Sequence, residues 1–88
     1  VYINKKGKDF RYMVLYCEGV DKHEIAKYYD VSYSSVKKSL QDIANEYEVD
    51  NVDSCLVYFM RDYSKTKEYI NIYNYYKSKK LFNYMIIK

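Results

Sequence analysis

The side chains of this sequence that are best suited to a chemical task are hydrogen-bond donors and cations gathered in segment 33–41. They are Tyr33, Ser34, Lys37, Lys38 and Gln41. Hydroxyl, amide and ammonium groups contact the edges of DNA bases and the phosphates between them. The chemistry that this segment could perform is therefore the binding of a nucleic acid. On their own, Lys37 and Lys38 would equally form a solvated helix face, so the assignment depends on the elements around them.

Residues for catalysis are few. The chain has one histidine, His23, and two cysteines, Cys17 and Cys55, whose spacing matches no common zinc site. No glycine-rich phosphate loop is present. A DNA-cleaving tyrosine needs several cations around the phosphate, and the chain has only two arginines, Arg11 and Arg61. We expect no enzyme, no metal, no cofactor and no small-molecule substrate.

The charge is unevenly distributed along the 88 residues, a length that predicts one domain. The net charge is only +3. Residues 1–11 carry four cations and one acid, and residues 64–88 carry six lysines and one acid. Residues 41–62 carry six acids and one arginine. We therefore expect an anionic partner to meet the two basic ends and to avoid the acidic middle.

The cellular location is predicted from the cysteines and the hydropathy. Two scattered cysteines indicate buried, reduced thiols, which fits a reducing compartment. No signal peptide and no apolar run long enough to span a bilayer is evident. We expect a cytoplasmic protein without a membrane partner.

Helical periodicity predicts about four helices before residue 63. The first covers residues 9–17, and the second begins after Asp21 and is short. The third covers residues 33–47 and follows Ser32, a good N-cap. A fourth helix is predicted at about 51–62. Apolar residues of the third helix recur at helical spacing, namely Val36, Leu40, Ile43 and Tyr47.

The C-terminal segment 67–88 is harder to assign. Segments 69–76 and 81–87 are rich in residues that favour strands, and the polar link 77–80 lies between them. This pattern predicts a β-hairpin. The alternative is a long helix, because Asn71, Asn74 and Ser78 are spaced for one polar helical face. The predicted fold is mainly α, with a helical core over 9–62 and a C-terminal hairpin or dimerisation extension.

The second and third helices have the features of a helix-turn-helix. Ala26 is small enough for a close helix crossing, and the turn at residues 29–32 is short. Val31 in the turn and Val36 in the next helix are expected to hold the two helices together. The N-terminal end of the third helix would then enter the major groove of DNA.

Two segments resemble the LuxR/GerE-type DNA-binding domains. Residues 19–26 are similar to the Gly-x-x-x-x-Glu-Ile-Ala segment of that family, and residues 31–37 are similar to its Ile-Ser-x-x-Thr-Val-Lys segment. Val49-Asp50-Asn51 lies where the family has Val-x-Asn before its fourth helix. The resemblance covers about residues 9–60. The expected hairpin also resembles the wing of winged helix-turn-helix proteins.

The resemblance implies a role for each matching position. Tyr33, Ser34, Lys37, Lys38 and Gln41 would face the major groove, while Ser35 and Lys22 would contact phosphate. Three lysines at the tip of the expected wing would reach the DNA backbone or the minor groove; they are Lys77, Lys79 and Lys80. The fourth helix of the family pairs in dimers, and its apolar residues here are Leu56, Phe59, Met60 and Tyr63.

These features together predict a homodimeric protein that binds double-stranded DNA in a sequence-specific way and regulates transcription. An accessory protein of a plasmid or phage, which marks an origin of transfer or replication, would use the same contacts. A protein-interaction module that reuses the fold is the alternative of another class. Salt dependence separates them, because DNA binding weakens steeply as the salt concentration rises.

Overall fold

The computed structural model describes the backbone of residues 1–87 and the side chains of residues 1–81. In that part of the chain, all regular structure is helical. The elements are α1 (Lys8–Cys17), α2 (Lys22–Tyr29), α3 (Tyr33–Glu46), a 3₁₀ turn (Val52–Cys55), α4 (Leu56–Tyr63) and α5 (Lys67–Ile87). None of these helices is both long and apolar enough to cross a membrane.

The mainly α class is confirmed, and α2 and α3 occupy segments that were predicted to be helical. The predicted C-terminal β-hairpin, and with it the wing, is wrong. The segment Lys67–Ile87 is one helix. Strand propensity is weak evidence because it depends on what the side chains pack against. Here Tyr69 and Tyr76, two helical turns apart, are both buried on the same side of α5. The link 77–80 also lacks the glycine, asparagine or aspartate that a tight hairpin turn requires.

The ends of α1, α2 and α3 share one backbone motif. Each ends with a residue in the left-handed conformation, namely Gly19 (φ 89°), Asp30 (φ 56°) and Glu48 (φ 58°). The next residue is a valine in each case, and its N–H donates to the carbonyl five residues earlier over 2.9–3.1 Å. This is the Schellman arrangement, which satisfies carbonyls at a helix end and reverses the chain sharply.

The starts of α2 and α3 are capped by side chains, unlike those of α1 and α4. The carboxylate of Asp21 accepts a hydrogen bond from the His23 N–H over 3.0 Å, and Ser32 Oγ accepts one from the Ser35 N–H over 3.0 Å. Both caps are as predicted. They fix where α2 and α3 begin, and therefore where the turn between them lies.

The core is built around α1, which packs against α3 and α5. Phe10 of α1 is fully buried, and its ring lies 5.5 Å from that of Phe59 and 5.4 Å from that of Tyr63, centre to centre. The Tyr63 hydroxyl accepts a hydrogen bond from the Ile3 N–H over 2.8 Å and donates one to the Val1 carbonyl over 2.7 Å. The aromatic cluster thus also holds the N-terminal segment.

Tyrosine hydroxyls at the edge of the core connect separate elements. Tyr16 of α1 donates to Asp53 of the 3₁₀ turn over 2.5 Å, and Tyr47 after α3 donates to Asp62 of α4 over 2.8 Å. The hydrogen bond to Asp53, together with burial, raises the pKa of Tyr16 to about 12. These bonds account for part of the large tyrosine content, since the ring packs while the hydroxyl binds a neighbouring element.

Replacing Glu48 by glycine is expected to raise the free energy of unfolding by about 0.5–1 kcal/mol. A side chain with a Cβ is strained at positive φ, and glycine removes that strain at some cost in chain entropy. Urea unfolding of Glu48→Gly measures the change. Glu48→Ala is the control, because it removes the same charge but keeps the Cβ, and it should be no more stable than the wild type. If both variants were stabilised equally, the effect would come from removing the Glu48 charge and not from relieving backbone strain.

Candidate nucleic-acid interface

The turn between α2 and α3 is three residues long, 30–32. Asp30 reverses the chain, the Val31 N–H donates to the Ala26 carbonyl over 2.9 Å, and Ser32 caps α3. Ala26 and Val36 are buried between the helices, as expected. Val31 is 36% exposed and so contributes less to joining the helices than predicted.

One face of α3 points away from the protein. Val36, Leu40 and Ile43 are buried on the opposite face. The outward face carries four exposed polar residues at helical spacing, namely Ser34, Lys38, Gln41 and Asn45. Lys37 is exposed beside this stripe. The structure therefore brings most of the predicted major-groove residues together, and adds Asn45, which the i, i+4, i+7, i+11 spacing could have revealed.

The charge on α3 changes sign along the helix. Lys37 and Lys38 lie near its N-terminal end, whereas Asp42, Glu46 and the following Glu48 lie near its C-terminal end. The N-terminal end of a helix also carries a partial positive charge. An anionic partner is therefore attracted to the end of α3 that follows the turn and repelled from the other end.

The polar residues on the outward face of α3 make only surface contacts. Lys38 pairs with Asp42 over 3.3 Å; the Lys38 side chain is 78% exposed and that of Asp42 is 44% exposed. Such a pair contributes little stability and can exchange its partner for a phosphate. Gln41 donates to the Asn45 side chain over 3.1 Å and to the Asp50 carbonyl over 3.2 Å. These contacts orient Gln41 toward the loop after α3.

Ser35, predicted to contact phosphate, is bound within the turn. Its N–H donates to Ser32 Oγ, and its own hydroxyl oxygen accepts from Ser32 Oγ over 2.9 Å. Lys22, predicted for the same role, lies apart from the α3 face. Its ammonium is 5.6 Å from the centre of the Tyr16 ring, on the α1 side.

His23 and Tyr33 form a stack between the start of α2 and the start of α3. Their ring centres are 4.0 Å apart and their planes differ by 9°. From the sequence, Tyr33 was predicted to lie in the site, whereas His23 was predicted to be a surface residue with a phosphate as its alternative contact. The only sequence signal for this stack is that His23 lies near the start of α2. Predicting the stack would also have required knowing that the starts of α2 and α3 lie close together.

The lysines of the predicted wing lie on α5 and not on a hairpin. Lys80 pairs with Glu24 of α2 over 3.4 Å, and the rings of Tyr76 and Tyr28 meet edge to face with centres 5.0 Å apart. Tyr76 and Glu24 raise the pKa of Lys80 above its ordinary value through their negative charge. Lys77, Lys79 and Lys80 are all exposed. The basic part of α5 is thus placed beside the helix that precedes α3.

Other surface features of the described residues fit the interface poorly. No group of three histidine, cysteine, aspartate or glutamate side chains within them could hold a metal ion. A groove between the N-terminal segment and the C-terminal half of α3 is lined in part by Asp9, Asp42 and Glu46. Its carboxylates would repel phosphate, and so it lies outside the candidate interface.

The residues that the sequence analysis placed at a dimer interface of the fourth helix are divided by the structure. Phe59 and Tyr63 lie in the core of the chain itself, while Leu56 and Met60 are half-buried. The apolar side chains that α4 exposes are Val57 and Tyr58. A homodimer remains a prediction.

Comparison with known proteins gives no identification: no protein-family model, curated protein or solved structure matches this chain. The resemblance to LuxR/GerE-type domains therefore stands on the quoted segments alone.

The loss of the hydroxyl is expected to destabilise the protein at only one of two buried tyrosines of α5. The Tyr69 hydroxyl donates to the Glu18 carboxylate, whereas the buried Tyr76 hydroxyl has no hydrogen-bond partner within the described residues. Tyr69→Phe should lower the free energy of unfolding by about 1 kcal/mol, and Tyr76→Phe should leave it unchanged or raise it by up to about 1 kcal/mol. Urea unfolding measures both. If Tyr76→Phe lowered the free energy of unfolding as much as Tyr69→Phe, the Tyr76 hydroxyl would have to be hydrogen-bonded.

Proposed function

We propose that this protein binds double-stranded DNA in a sequence-specific way, and that the N-terminal end of α3 enters the major groove. The observation that carries the proposal is the three-residue turn before α3, followed by an outward polar face whose cations lie only near that turn. A helix-turn-helix protein contacts base edges with this end of its second helix. The acidic C-terminal end of α3 would face away from the phosphates.

The contacts divide into two classes. Ser34, Lys37 and Lys38 are exposed at the N-terminal end of α3 and would contact base edges, with Tyr33 and Gln41 on either side. Ser35 would contact phosphate through its hydroxyl. Base contacts determine which sequence is preferred, whereas phosphate contacts add affinity for every sequence.

The α5 lysines would supply further phosphate contacts. Lys80 is held beside α2 by its pair with Glu24, and Lys77 and Lys79 are exposed on the same helix. Because these groups lie at the surface, exchanging Glu24 for a phosphate costs little. These lysines would thus contact the DNA backbone from a helix and not from the wing that was predicted.

The biological role that we propose is regulation of transcription in the cytoplasm, by a homodimer that binds two half-sites. Marking an origin on a plasmid or phage would use the same contacts, and the genomic position of the bound site would separate the two roles. A protein-interaction module is the alternative of another class. An apolar protein surface would bind with little dependence on salt, unlike DNA.

Lys37→Ala combined with Lys38→Ala is expected to abolish the preference for the selected DNA site. The two ammonium groups lie at the end of α3 that would enter the groove, and each good base contact contributes about 1–3 kcal/mol of discrimination. Fluorescence anisotropy with the selected site and with a scrambled duplex measures the preference. Circular dichroism verifies that the helices remain.

The matched control is Lys65→Ala combined with Lys67→Ala. This pair removes the same charge from exposed positions at the α4–α5 junction and should leave the preference intact. The assignment of α3 as the recognition helix is wrong if the Lys37 and Lys38 variant keeps its preference, or if both variants lose it equally.

Replacing Lys77, Lys79 and Lys80 by glutamine is expected to weaken binding to all sequences by a similar factor. For each phosphate contact that is lost, binding releases about one counterion fewer. The slope of the logarithm of the binding constant against the logarithm of the salt concentration should therefore become shallower by about one per contact. Titrations at several salt concentrations measure that slope. A changed sequence preference would instead show that these lysines contact bases.

A further inference from the structure

The His23–Tyr33 stack joins α2 to the first residue of α3. The ring planes are 9° apart and the ring centres 4.0 Å apart. The Lys37 ammonium lies 5.5 Å from the centre of the Tyr33 ring, one helical turn further along α3. Three side chains from two helices thus hold one another at the end of α3 that is proposed to enter the groove.

The stack lies at the surface. His23 is exposed and Tyr33 is half-buried. Core packing alone therefore does not fix the Tyr33 ring, and its contacts with the His23 ring and the Lys37 ammonium restrict it. The His23 backbone is itself fixed, since its N–H donates to the capping carboxylate of Asp21 over 3.0 Å. The orientation of Tyr33 is consequently tied to the start of α2.

A restricted side chain has an energetic advantage in recognition. Immobilising a freely rotating side chain on binding costs about 0.5–1.5 kcal/mol. A ring that is already held does not incur that cost, and its hydroxyl meets the partner in one orientation. A non-specific complex, which depends on phosphate contacts, gains nothing from this restriction.

We propose that His23 is a positioning residue for sequence recognition: its ring holds the Tyr33 side chain so that the phenol hydroxyl meets a base edge in a fixed orientation. The proposal rests on the proposed binding of DNA through α3. His23 acts through Tyr33 and does not itself contact the DNA.

The first test needs no DNA. In protein labelled with ¹³C at tyrosine, the Tyr33 ring signals are identified by their disappearance in Tyr33→Phe. His23→Ala should shift them downfield because the ring current of the stacked imidazole is lost, and His23→Phe should retain an upfield shift. Unchanged Tyr33 signals in His23→Ala would overturn the proposal.

The second test measures affinity for a selected DNA site and for a scrambled duplex. His23→Ala should weaken binding to the site by about three- to tenfold and leave both the scrambled duplex and the salt slope unchanged. His23→Phe should restore most of the affinity for the site. In a Tyr33→Ala background, His23→Ala should have no further effect, because the two changes remove the same interaction.

Three outcomes would contradict the proposal in different ways. Equal weakening on both duplexes, with a shallower salt slope, would show that His23 contacts phosphate itself. An intact preference in His23→Ala would refute the positioning role alone. A wild-type protein that shows the stack by NMR but prefers no sequence would refute the proposed function, and with it any role of His23 in recognition.

Discussion

The surface that α3 presents depends on the burial of one stripe of its side chains. Val36, Leu40 and Ile43 are at most 2% exposed, and α3 packs against both α1 and α2. Each such side chain contributes roughly 1.5–3 kcal/mol when it is fully buried. Since the three residues share one face, they fix the rotation of α3 about its axis. Ser34, Lys38 and Gln41 must then point outward.

The other helices hold α3 in this orientation. Half of the residues of α1 are buried, namely Phe10, Tyr12, Met13, Val14 and Leu15, and α1 packs against both α3 and α5. The sharp reversals at Gly19, Asp30 and Glu48 let short helices cross without long loops. α5 contacts α2 through Tyr76 and Lys80, so that the helix before α3 is held on one side by the core and on another by α5. A rigid support of this kind suits a surface that discriminates between similar partners.

The sequence predicted those features that depend on local chemistry and regular spacing. The caps at Asp21 and Ser32 and the buried stripe of α3 were found because capping groups and apolar periodicity act over a few residues. The prediction of a C-terminal hairpin was wrong because strand propensity is a local property. It does not reflect the burial of Tyr69 and Tyr76 against α1 and α2, which is a long-range interaction. The contacts of His23 with Tyr33 and of Lys22 with Tyr16 were not predicted for the same reason. Both depend on which helix lies opposite.

The central claim is that α3 confers sequence-specific binding to double-stranded DNA. The most direct measurement is selection of bound fragments from a random double-stranded library at about physiological salt, followed by sequencing. We expect enrichment of a short motif, repeated as two half-sites about one helical turn of DNA apart if the protein is a dimer. Recovery of fragments without a shared motif, at an affinity that changes little with salt, would contradict it and would direct the search to a protein partner.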